Sequence, residues 1–136
     1  MSGLYHAHSG LRYLVLLLGM VNIAVLAIGL VQKAPFGKLH RILGAIFAGM
    51  LHLQVLLGVG MVVLGRYYPQ LIGHIAMMLI AAITAQVTIS INRRRPEPGF
   101  ALPLVGVLVA LVCITGGVMA IGRGLFQALP YVPIAH

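Results

Sequence analysis

Few side chains in this sequence are equipped for chemistry, and most of those are histidines. His6, His8, His40, His52, His74 and His136 stand against a single acid, Glu97, and a single cysteine, Cys113. A neutral imidazole ligates metals, and one withdrawn from water needs a partner for its N–H. A histidine in an apolar stretch therefore either binds a metal or hydrogen-bonds another element. One cysteine excludes a disulfide framework and a CxxC pair, and with them quinone-linked disulfide formation. No carboxylate falls inside an apolar stretch, which argues against a proton-coupled exporter built on an intramembrane glutamate. Met61, Met77, Met78, Met119 and Cys113 join the histidines as soft or borderline ligands of the kind that suits copper.

The elements that hold these residues follow from composition. Of the 136 residues, 61% are hydrophobic and 7% charged, where soluble domains carry about a quarter charged. Mean hydropathy is +1.08. The apolar runs cover residues 11–31, 42–64, 71–91 and 100–121, and at about 1.5 Å per residue each matches a hydrocarbon core of about 30 Å. The intervening segments are short and rich in helix breakers: Pro35 and Gly37, Gly65 and Pro69, then Pro96, Pro98 and Gly99. The expected fold is all-α, a single transmembrane domain in an up-down-up-down four-helix bundle. The N-terminus has no positively charged n-region and no clear cleavage site, so the first run reads as a retained helix.

Orientation follows from Lys and Arg. Lys33, Lys38, Arg41, Arg93, Arg94 and Arg95 occupy the first and third loops, whereas Arg12, Arg66 and Arg123 lie at the other ends of the runs. That asymmetry places the first and third loops in the cytoplasm and both termini outside, facing the periplasm if this is the inner (cytoplasmic) membrane of a Gram-negative bacterium. Tyr5, Tyr13, Tyr67, Tyr68 and Tyr131 then form an outer aromatic belt. In a soluble protein a net charge of +8 would suggest nucleic acid; here the basic residues sit at topology-setting positions, and the bilayer is the expected partner. So little soluble surface also implies a homo-oligomer or a subunit of a membrane complex.

Depth separates the histidines. His52 lies within ~3 Å of the centre of its run and His74 ~10 Å outward of its own, and the opposite Cβ tilts of antiparallel helices widen that gap. His52 and His74 are therefore not expected to share one upright prosthetic group. His8 stands on the same outer side as His74, ~8 Å higher by helix rise, within a polar outer end made of His6, His8, Arg12, Arg66 and His74. Met61 and Met119 fall near the level of His74. At the depth of His52 lie Asn22, Thr84 and Cys113, so a structural His52–Asn22 hydrogen bond is the alternative to ligation. Gly44, Ala48 and His52 recur at four-residue spacing on one face. Such small residues permit close helix packing or leave room for a flat cofactor. His40 and His136 read as solvated or headgroup-facing.

The pattern His8-Ser9-Gly10-Leu11-Arg12-Tyr13, with His52-Leu53-Gln54 and Gly73-His74, resembles small bacterial four-helix membrane proteins of cytochrome b-like type, over most of the chain. The resemblance implies b-type haem (haem b) held by histidine, and electron transfer with a quinone or a partner subunit. It makes His8, His52 and His74 the candidate metal ligands and Arg12 a propionate partner, with Gly44 and Ala48 beside the cofactor. The fourth run carries no histidine, so two full bis-histidine haems are not expected. Two other readings stay open. One is a copper-handling or small-solute transporter, in which His52 and the methionines would line one path. The other is a non-catalytic membrane scaffold whose polar residues pin helices together.

Overall fold

A computed structural model describes residues 2–122, so Arg123, Tyr131 and His136 lie outside the described residues. The described chain forms α1 (Ser2–Gln32), α2 (Lys38–Val63), α3 (Leu71–Arg94) and α4 (Ala101–Ala120). All four are long and apolar enough to cross a membrane. Three helices match the expected runs closely. α1 instead begins at Ser2, because no proline interrupts residues 2–11 and the extension buries Tyr5 against the bundle. His6 and His8 are thus helical residues, not part of an extended lead-in.

Helix ends follow local chemistry. α2 and α4 give way to Gly65 (φ 93°) and Gly122 (φ 74°), left-handed positions that cost glycine nothing. α3 stops at Arg95, which adopts the extended backbone favoured ahead of Pro96. Pro103 falls in the first turn of α4, where its missing N–H has no intrahelical partner to lose.

Each helix packs on its two neighbours around the bundle, α3 and α4 most extensively and α2 and α3 least. The α3–α4 seam is close because Gly106 lies against Thr88, where any side chain would collide; the Thr88 hydroxyl folds back onto Thr84 O at 2.7 Å. Phe47, Val107 and Val15 fill the centre. The bundle is apolar outside and selectively polar inside: Val31 is 82% exposed and Leu56 66%, while Asn22 and Asn92 are 2% and 1% exposed. That distribution suits a hydrocarbon solvent. Inside, Asn22 Nδ2 donates to Leu18 O at 2.9 Å and across to Leu43 O at 3.1 Å, joining α1 to α2.

The up-down-up-down order gathers the start of α1, the end of α2, the start of α3 and the end of α4 at one end, where Gly60 faces Leu4 and Gly73 faces Ala120. The opposite end collects the basic loops, Phe36, Phe100 and Asn92.

Candidate functional site

His8 and His74 meet at the first of these ends, from α1 and α3. Their ring centroids lie 6.3 Å apart with planes at 76°. Each ring is aimed by the helix beside it. His8 Nδ1 donates to Gln54 O on α2 at 3.0 Å, and Gln54 Nε2 donates back to His8 O at 2.6 Å. His74 Nδ1 donates to Gly117 O on α4 at 2.9 Å. A carbonyl oxygen only accepts, so both Nδ1 atoms carry the proton and both lone pairs lie on Nε2. Anchoring one ring nitrogen on a backbone carbonyl, with the other left basic, is the usual preparation of a metal-ligating histidine.

Glycine makes both anchors reachable. A Cβ on Gly58, one turn beyond Gln54, would stand 3.2 Å from His8 Cε1, inside ordinary contact distance. Gly117 presents its carbonyl to His74 where a Cβ would meet Met78 Cε at 2.5 Å. Neither glycine stands out in the sequence. The available signal was Gln54, a polar residue deep in an apolar run, with Gly58 four residues on.

The two imidazoles open on joined cavities of about 100 and 300 Å³. These occupy the gap where α2 and α3 pack loosely. Val55, Val59, Ile75 and Leu79 make apolar walls for the larger cavity, while Arg66 borders both and Arg12 the smaller. Arg12 is 7% exposed, and its Nη2 donates to Tyr13 Oη at 3.1 Å. Arg66 stacks on Tyr5, with Cζ 4.5 Å from the ring centre. Met61 and Met78 also line both cavities.

The separation of the imidazoles carries chemical content. Metal–imidazole bonds of about 2 Å, with roughly 1 Å more to each ring centre, set two opposed ligands about 6 Å apart, centre to centre; at a tetrahedral angle the same bonds bring the centres to about 5 Å. The observed 6.3 Å is longer than the tetrahedral spacing and compatible with that of two opposed ligands. A porphyrin fills the remaining four positions itself, so two histidines suffice for it. Among the described residues no three of His, Cys, Asp and Glu converge, as a structural zinc-type site would require.

The other proposed site residues lie elsewhere. His52 is exposed on the outer surface, where its Nε2 bonds Gln86 Oε1 at 2.8 Å; Gln86 Nε2 in turn donates to Ser90 Oγ at 2.6 Å. Its partner is thus Gln86 on α3 and not Asn22. Gly44 packs on Ile89 toward the basic end, and Ala48 is buried one turn along. Neither lines the histidine cavities. Cys113 is buried in the core, Met119 is largely exposed, and His6 lies edge-on to Tyr5. His40 is half-buried and packed between Phe36 and Phe100 at 5.2 and 4.8 Å. No family model, no curated protein and no solved structure matches the chain.

Proposed function

We propose that the chain is an integral membrane protein that binds one haem b through His8 and His74 and passes electrons to or from a quinone or a partner subunit. The observation that carries this reading is the imidazole pair: two rings from different helices, each with Nδ1 donated to a neighbouring carbonyl, 6.3 Å apart beside an apolar groove. The residues present fit the group. His8 on α1 and His74 on α3 would hold it, with Val55, Val59, Ile75 and Leu79 as apolar walls and Arg12 and Arg66 as positive charge for its carboxylates. When bound, haem supplies a one-electron iron couple. The chain's own residues hold the ligand tautomers and keep the surroundings apolar. The proposed setting is a bacterial inner membrane with both termini outside, as a homo-oligomer or within a larger complex.

Absorption spectra of the gently purified protein, oxidised and reduced, test this. A Soret band that shifts on reduction, with a pyridine haemochrome of b type, is the expected result; a sample without either ends the haem reading. A copper-binding alternative draws on Met61 and Met78, which line the same cavities as the two histidines. Elemental analysis finding copper without iron or porphyrin would favour it. His8 and His74 variants that alter neither spectrum nor metal content would leave a scaffold role.

A further inference from the structure

The opposite end of the bundle holds a second polar site, remote from the histidine pair. Asn92 is 1% exposed there, and its Nδ2 has no hydrogen-bond partner. The amide orientation is fixed, because Oδ1 accepts from Gly99 N–H at 3.0 Å and a flip would set two donors against each other. The orphan is therefore a donor. Leaving such a group unpaired in the interior is costly enough that native proteins rarely do it.

Asn92 lines a small cavity, about 10 Å³, together with His40, Arg41 and Arg93. His40 Nδ1 accepts from Gly37 N–H at 3.0 Å, which puts the imidazole proton on Nε2 and makes that atom a donor as well. Asn22 lies deeper, its amide hydrogens already committed to Leu18 O and Leu43 O. Glu97, the only acid, does not line the cavity. Two helix N-termini and two C-termini meet at this end, so their dipoles largely cancel and the side chains set the field. The ligand must accept hydrogen bonds and carry negative charge.

We propose that this pocket binds a phosphate group, with Asn92 Nδ2 and His40 Nε2 donating to its oxygens and Arg41 and Arg93 neutralising it at the mouth. The room inside, about 10 Å³, takes a single oxygen, so the pocket receives one phosphate oxygen and leaves the rest of the group and any acyl chains at the mouth. Two sources share this chemistry: an anionic phospholipid whose headgroup lies at the membrane surface, and free phosphate.

The test uses the full chain in detergent, delipidated, with thermal unfolding and native mass spectrometry as readouts. Phosphatidylglycerol, phosphatidylcholine and inorganic phosphate are added separately, with chloride at matched ionic strength as control. The expected result is tight retention of one phosphatidylglycerol and a raised Tm that phosphatidylcholine does not reproduce. Asn92→Asp keeps the acceptor for Gly99 and replaces the orphan donor by a negative oxygen. It should weaken retention about tenfold, as should Arg93→Gln, each removing one charge-assisted contact. Protection by inorganic phosphate that is lost in both variants assigns the site to the free anion. Retention unchanged in both variants, or no protection by either phosphate source, overturns the proposal and leaves a buried water on Asn92.

Discussion

The Nδ1 protons of His8 and His74 are held by carbonyls of two other helices, so each ring's direction is set by packing and not by its own rotamer. If they are the axial pair, His8→Ala and His74→Ala each abolish the Soret absorbance of purified protein, whereas His52→Ala leaves the spectrum intact. Loss of the spectrum in His52→Ala with retention in His8→Ala would reverse the assignment. Gly58→Val intrudes on the seat of His8, where a Cβ alone would stand 3.2 Å from Cε1. It should lower haem occupancy by about tenfold or more, as loss of ligand support does at metal sites. Helix content by circular dichroism should stay at the wild-type value. Equal haem content in Gly58→Val and wild type would mean that His8 is seated some other way.

At the level of helices, the tight α3–α4 seam and the loose α2–α3 seam have different jobs. Gly106 lets α4 lie against Thr88, so Gly106→Ala should destabilise the bundle by about 1–3 kcal/mol, the usual range for overpacking. Thr88→Ala in the same chain should recover only part of that loss, because the Cβ it keeps would still stand 2.7 Å from the new one. A double variant no more stable than Gly106→Ala alone would place the strain elsewhere. Across the loose seam, His52 and Gln86 form a polar link on the outer surface. His52→Leu should cost about 0.5–2 kcal/mol, the range measured for hydrogen bonds between membrane helices. Thermal unfolding followed by circular dichroism reads both.

For the molecule as a whole, the basic loops and the histidine pair sit at opposite ends, so orientation in the membrane decides which side the imidazoles face. With Cys113 replaced by serine, Tyr67→Cys in the loop after α2 should react with a membrane-impermeant maleimide on intact cells. Arg94→Cys, at the end of α3, should react only after lysis. The reverse labelling pattern would put the imidazoles on the cytoplasmic side.

Hydrophobic length, breaker-rich loops and charge asymmetry were readable along the chain because each depends on neighbouring residues in solvent-like environments. They yielded four helices in the right places, with α1 and α2 starting ahead of their apolar runs, at Ser2 and Lys38, where no local signal opposed an earlier beginning. Helix rise and direction also separated His52 from His74 by depth. Depth along an axis is a one-dimensional quantity; rotation about it is not, and a turn of one helix carries a residue from cavity to outer surface. The sequence therefore could not tell that His52 faces out toward Gln86, that His40 is clasped between Phe36 and Phe100, or that Gly44 and Ala48 lie away from the histidine cavities. Nor could it pair His8 with Gln54 and His74 with Gly117, since those bonds exist only once helices distant in sequence have settled their azimuths against one another.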